Sequence, residues 1–145
     1  MKTRNITETD LPQLATLFAR AFNAPPWNEH WTADTAEHRL SDIFHTPRFR
    51  GIVGFAGENI RAFAAGHIEC VENGQEFLLQ EICVDPEQQR TGLGGKILSM
   101  LVQDLRSEGV RNLYLLTDAD GPAEAFYRKH GLARSRRVIV MGTIF

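Results

Sequence analysis

Several features that would assign this chain of 145 residues to a special environment are absent. Two cysteines, Cys70 and Cys83, are too few for a disulfide framework or a structural zinc site, and both lie in apolar runs where a buried thiol is expected. No apolar run approaches the roughly 18 residues of a membrane span. The opening Met1-Lys2-Thr3-Arg4-Asn5 lacks the apolar stretch of a secretory signal, so a cytoplasmic location with no membrane partner is expected. Positive charge is not in excess: 16 Lys and Arg against 18 Asp and Glu leave a net charge of −2, without the basic footprint that a nucleic-acid partner requires. The five histidines show no metal-ligand spacing, and no metal is implied. No repeat, linker or charge block divides the chain. The composition, 43% hydrophobic and 23% charged, is that of an ordinary globular protein. A second domain would be too small to fold, so residues 1–145 are expected to form one domain.

Strand and helix patterns alternate along the chain. Thr9-Asp10 supplies capping chemistry ahead of Leu11, Leu14, Leu17, Phe18 and Phe22, whose spacing predicts an amphipathic helix ending before Pro25-Pro26. Thr32 is placed to cap a second helix through Ala36, Leu40 and Ile43, stopped by Pro47. Three strands follow, from Gly51 to Ala56, Ile60 to Val71 and Phe77 to Val84, with turns at Gly57-Glu58-Asn59 and Glu72-Asn73-Gly74. Thr91 to Glu108 carries Leu93, Ile97, Leu98, Leu101 and Leu105 and closes at Gly109, a helix with its terminating glycine. Leu113-Tyr114-Leu115-Leu116 reads as a buried strand covered on both faces, Pro122 opens a short helix to Gly131, and Val138-Ile139-Val140-Met141 reads as a last strand. The fold class predicted is α/β in the α+β sense: a mixed, mostly antiparallel sheet with helices on both faces.

Between the third of those strands and the long helix lies Asp85-Pro86-Glu87-Gln88-Gln89-Arg90-Thr91-Gly92-Leu93-Gly94-Gly95-Lys96. Glycines at a helix N-terminus let backbone amides approach anionic oxygens closely, so this loop suits a diphosphate. Two better-known glycine loops do not fit. A Walker A loop needs glycine where Arg90 stands and Ser or Thr where Ile97 stands, and the dinucleotide fingerprint needs glycine at 97 after the first strand of a βαβ unit.

Gln89-x-x-Gly92-x-Gly94, behind a strand ending Ile82-Cys83-Val84-Asp85-Pro86 and ahead of Ala125-Phe126-Tyr127-Arg128-Lys129-His130-Gly131-Leu132, closely resembles the GNAT superfamily of N-acetyltransferases. The likeness is strong from about residue 50 to 133 and holds elsewhere by element order. It implies acetyl-CoA as acetyl donor, with its pyrophosphate on the amides of Gln89, Arg90, Thr91, Gly92, Leu93 and Gly94 and with Gly95 and Lys96 adjoining. It also implies a pantetheine arm paired like an extra strand with backbone groups of Cys83 and Val84. Tyr127 matches the tyrosine aimed at the thioester sulfur. One departure stands out: Asp120 occupies the place where many members carry asparagine, and a carboxylate does not suit contact with an anionic cofactor.

Amide formation needs a neutral amine, whereas an alkyl ammonium of pKa ~10 is protonated at neutral pH, so a base or water chain must take a proton. Attack on the thioester builds an oxyanion, which a strand amide such as that of Val84 suits, and expels a thiolate that needs a proton donor, which Tyr127 suits. A core tyrosine beside Phe126 is the competing reading. Glu81 is the lone acid within Phe77 to Val84; it is either the base, with a pKa raised by its apolar surroundings, or a carboxylate solvated or paired with an arginine. His67 and Glu69 share a strand face and read as a satisfied polar pair or as the acceptor side, while Arg134, Arg136 and Arg137 read as a solvated strand end. Trp27, Glu29 and Trp31, in a proline-stiffened loop, either hold a cationic amine or plug the sheet edge. The expected reaction is acetyl transfer to a primary amine of a small molecule. A protein or peptide amine and a non-catalytic acyl-CoA sensor are the alternatives, and a homodimer is compatible with the sequence.

Overall fold

The computed structural model describes residues 1–145, which divide into two compact units, Met1–Leu115 and Leu116–Phe145. The first unit holds β1 (Lys2–Asn5), α1 (Leu11–Asn23), α2 (Ala33–Phe44), β2 (Phe49–Ala56), β3 (Asn59–Val71), β4 (Gly74–Val84), α3 (Leu93–Ser107) and β5 (Asn112–Tyr114). The second holds α4 (Pro122–Lys129). The five strands form one sheet in chain order, antiparallel from β1 to β4 and parallel between β4 and β5. This is the mixed, mostly antiparallel sheet that the sequence predicts. No helix is long and apolar enough to cross a membrane.

The two faces of the sheet are covered by different helices. Leu14, Leu17 and Phe18 of α1 and Ala36, Leu40 and Ile43 of α2 bury against Val53, Phe63, Ala65 and Cys83. Across the sheet, a Cβ built on Gly54 would meet Ile97 of α3, which places Gly54 and its partner Ala62 on the other face. Burying rings such as Phe18, Phe63 and Phe77 contributes about 1.5–3 kcal/mol each. Thr32 caps α2 as expected: its hydroxyl accepts the Thr35 amide at 3.0 Å, and the Thr35 hydroxyl accepts the Thr32 amide at 2.9 Å.

Midway along its pairing with β3, β4 carries one extra residue. Ala65 faces Glu81 and Gly66 faces Leu79, so Gln80 is a bulge. The extra residue reverses the alternation, setting Glu81 and Cys83 toward α1 and α2 while Leu79 and Phe77 point to the α3 side. Gly66 is what makes room, because a Cβ there would lie 2.0 Å from the Leu78 carbonyl oxygen.

Four expectations are corrected. The strand Val138–Met141 does not form; no ladder partner pairs with it, and its side chains are 68–85% exposed, since apolar alternation supplies strand propensity but not a neighbour. The run from Leu113 is neither long nor covered on both faces: β5 ends at Tyr114, an edge strand with β4 on one side only, and Leu116 is exposed. Cys70 is exposed rather than buried, because it lies near the tip of the β3–β4 hairpin opposite Gln75. Asp10 does not cap α1 with its side chain; it accepts the Thr7 amide at 2.8 Å and pairs with Arg4 at 2.7 Å, closing a 3₁₀ turn that leads into the helix.

The bulge makes a testable demand on Gly66. Gly66→Ala should lower unfolding stability by about 2–4 kcal/mol, because its Cβ meets backbone that cannot yield. Gly54→Ala, which meets only the ends of the Ile97 and Met1 side chains, should cost less. Urea midpoints of the two variants check this; equal losses would mean that the β4 bulge is not what reserves position 66.

Candidate active site

The edge of β4 is where the sheet opens. β5 accompanies β4 only over Glu76–Leu78, whereas β3 continues beside it to Val84. The Asp85 amide donates to the Arg61 carbonyl at 2.7 Å, which makes Ala62–Val84 a pair without mutual hydrogen bonds. The amide and carbonyl of Val84, and by the same phase those of Ile82, therefore face away from β3 into the opening. Cys83 points its backbone groups at Phe63 instead, so of the two residues expected to offer pairing groups, Val84 does and Cys83 does not. Ile82 is the residue whose backbone groups share the outward direction of Val84, and only the phase of the ladder, which no local pattern encodes, reveals it. The Cys83 thiol is buried with its Sγ 3.9 Å from the Leu17 carbonyl, and desolvation pushes its pKa far up, leaving it inert.

Asp85 ties the following loop to the sheet. Its side chain is 2% exposed, accepting Arg61 Nη1 at 2.6 Å, the Glu87 amide at 2.9 Å and Arg20 of α1. Burial works against its charge, but the Glu87 amide and the two guanidiniums outweigh burial and hold the carboxyl below its ordinary pKa. Beyond it Gln89, Arg90, Thr91 and Gly92 are exposed. The Gln89 side-chain amide donates to the Val84 carbonyl at 3.2 Å, and Thr91 Oγ1 donates to the Gln88 carbonyl at 2.5 Å. Arg90 and Gly92 take left-handed conformations, φ +64° and +85°, which is why α3 starts at Leu93 rather than at Thr91. No side chain caps α3 and no acid stands in its first turn, so its leading amides and positive end are left for an anion. Gly94 and Gly95 are half-buried and Lys96 exposed, while Leu93 spends its side chain in the core and offers backbone alone.

Glu81 stands on the same strand just before the open pair. Its carboxylate is 15% exposed and is held from α2 by Arg39, whose Nε and Nη2 donate to Oε1 at 3.2 and 3.0 Å. Burial pushes the carboxyl above the usual range, Arg39 pulls it back, and the charge of Glu29 adds to the rise. Of the two alternatives read from the sequence, the arginine pairing is what the structure shows, and burial still raises the carboxyl above its ordinary range. Arg39, 42 residues away, carries no local signal that would have singled it out.

Glu29 belongs to the loop that follows α1. Glu29 accepts Trp31 Nε1–H at 2.7 Å, and the Trp31 ring stands edge-on to Phe18 at 4.8 Å while Trp27 stands edge-on to Phe22 at 5.4 Å. Both indoles are half-buried, so each combines packing with an exposed face. Asn23 binds the Trp31 backbone twice, accepting its amide at 2.8 Å and donating to its carbonyl at 2.9 Å. Farther along the same sheet face, His67 Nδ1 lies 3.1 Å from Gln80 Oε1 and His67 Nε2 lies 3.4 Å from Glu69, while Tyr114 donates to Glu69 at 2.6 Å. His67 and Glu69 are a satisfied polar pair.

In the second unit, Tyr127 lies on α4, half-buried, with its ring 5.3 Å from that of Phe126. Asp120 is paired with Arg134 at 3.0 Å, which neutralises the carboxylate that departs from the family pattern. Glu124, which the sequence reading passed over, collects the Asp120 amide at 2.7 Å, Arg128 at 3.0 Å and Arg134 at 2.5 Å; Arg134 foremost draws its pKa down to about 2. Arg134 is thereby a brace, while Arg136 and Arg137 remain exposed.

The family model described as the Acetyltransferase (GNAT) family matches residues 11–132. A ribosomal protein bS18-alanine N-acetyltransferase from Escherichia coli K12 is 30% identical over 128 residues, covering 88% of this chain and 77% of that protein. Its namesake from Salmonella typhimurium is 31% identical over 127 residues, covering 87% and 76%. Among solved structures, a possible acetyltransferase from Clostridium difficile 630 shares the fold with a TM-score of 0.84 at 15% identity, over 99% of this chain and 97% of its own. An aminoglycoside acetyltransferase from an uncultured soil metagenomic sample, in complex with sisomicin, reaches 0.78 at 20% identity, over 99% and 95%. With a match that runs from the first residue of α1 past the end of α4, the chain belongs to the GNAT family of acetyl-CoA-dependent acyltransferases.

Proposed function

We propose that residues 1–145 act as one domain that moves the acetyl group of acetyl-CoA to a primary amine of a small molecule by direct attack on the thioester. The observation that carries this reading is a half-paired strand, with the outward groups of Ile82 and Val84 beside a shielded carboxylate at Glu81. The donor's pyrophosphate takes the uncapped amides from Gln89 to Gly94, with Arg90 and Lys96 adding positive charge. Its pantetheine arm lies along the open edge, paired with Ile82 and Val84. The amine loses a proton to Glu81, directly or through water, and its nitrogen attacks the carbonyl carbon. The Val84 amide meets the oxyanion, the C–S bond breaks, and the thiolate takes a proton from Tyr127. The exposed faces of Trp27 and Trp31, with Glu29 between them in sequence, favour a cationic acceptor.

A second reading, an α-amine of a peptide, draws on the 30% identical relatives named for an alanine of a ribosomal protein. Thiol release measured with aminoglycosides and polyamines against short peptides beginning with alanine decides between them. Faster release with the small amines supports the first reading, and release only with peptides replaces it.

The pyrophosphate role predicts that Gly92→Val lowers acetyl-CoA affinity at least about tenfold by calorimetry. A branched side chain is strained at φ +85°, yet its Cβ meets nothing within 4 Å, so the fold should survive. Tyr127→Phe should lower kcat by roughly ten- to a thousandfold with donor affinity nearly unchanged. For Glu81, kcat/KM should rise with pH through an apparent pKa above an ordinary glutamate and below the free amine, because the base works only when deprotonated. Glu81→Gln should remove that limb and leave donor binding intact. Survival of the limb would move the base elsewhere.

A further inference from the structure

Nothing in the reaction as described accounts for the grip of α2 on Glu81. Arg39 follows the cap at Thr32 by two helical turns and adjoins Leu40, whose side chain is buried in the core, so its position is set by the helix. Both of its donors go to Oε1 of Glu81. The two side chains meet only because the Gln80 bulge turns Glu81 toward α2. An exposed ion pair would contribute little, on the order of 0–1 kcal/mol, but here one partner is shielded and the other open, 15% against 40% exposed.

We propose that Arg39 is a positioning residue for the acetyl transfer: by gripping Glu81 through Oε1 alone, it presents Oε2 to the acceptor amine. The inference rests on Glu81 being the base. Arg39 has a second effect through its charge, which offsets the burial of Glu81 and keeps the carboxylate available to take a proton at moderate pH. The other ionisable groups facing Glu81 are Glu29 from the loop after α1, which opposes this, and Cys83 on β4 itself, whose buried thiol stays protonated; the β3 partner, Ala65, contributes none. Loss of Arg39 removes the charge and hydrogen bonds that favour the charged form, so Glu81 should bind its proton more tightly and the rising limb of kcat/KM should move to higher pH.

The experiment compares wild type, Arg39→Gln, Arg39→Lys and Glu81→Gln in the full chain. Carbon-13 NMR of the glutamate carboxyls, with the Glu81 signal identified by its loss in Glu81→Gln, reads the titration without turnover, and kcat/KM against pH reads the reaction. Arg39→Gln should raise the Glu81 midpoint and the rate limb together by about one pH unit or more, with acetyl-CoA affinity unchanged and Arg39→Lys near the wild-type position. A merely structural pair would move the carboxyl midpoint but leave the rate limb where it is. A midpoint and limb both at the wild-type position overturn the Arg39 assignment while leaving Glu81 as base. A midpoint that moves while the limb stays, or a limb that survives Glu81→Gln, overturns the base assignment and this inference with it. If Arg39→Gln does not fold, Arg39→Lys decides: it keeps the charge but loses the two-donor grip, so its limb should stay near the wild-type position while its plateau kcat/KM falls, and a wild-type plateau overturns the positioning role.

Discussion

A single extra residue in a strand governs the chemistry of this sheet. Were β4 to alternate without interruption, Glu81 would share a face with Leu79 and Phe77, and one of the two cores would have to bury an unpaired carboxylate at a cost of several kcal/mol. The bulge at Gln80 resolves this by giving the apolar pair to α3 and the acid to α2, where a guanidinium waits. The cost is paid across the ladder, where only glycine fits opposite the displaced backbone. The placement of the acid and its pairing with Arg39 are thus products of one irregularity.

The second requirement is rigidity where the sheet ends. A loop with an uncapped helix start behind it has few internal hydrogen bonds of its own, so its shape is imposed largely from outside. Asp85 does this from within the protein, joined to β3 through Arg61 and to α1 through Arg20. The buried carboxylate is therefore what holds the start of this loop to the sheet and to α1. Its charge is fully neutralised before the loop begins, and the positive helix end remains uncompensated.

What the sequence reveals depends on how local the cause is. The cap at Thr32, the apolar stripe of α3 and the glycine loop are written in consecutive residues, and each forms where its pattern lies. The bulge is not, because β4 carries no glycine or proline at Gln80; its trace is Gly66, on another strand, which reads there as an ordinary small residue. The Arg39–Glu81 pair spans two elements and needs the register of both. The choice of Ile82 over Cys83 turns on hydrogen-bond phase, invisible to composition. Val138–Met141 errs in the opposite sense: a strong local preference for extended structure was present without any strand to receive it.

Asn23 gives the loop between the first two helices an unusual independence. Its side-chain amide grips the Trp31 backbone as a neighbouring strand would, so the segment from Ala24 to His30 is closed at its base by one residue that belongs to α1. Exposed residues inside that closed segment, such as Asn28 and His30, can be exchanged with less effect on α1 than Trp27, whose ring packs on Phe22. The shape of the exposed part of this loop is thereby uncoupled from the packing of the helices on either side, and sequence variation has a place to accumulate there.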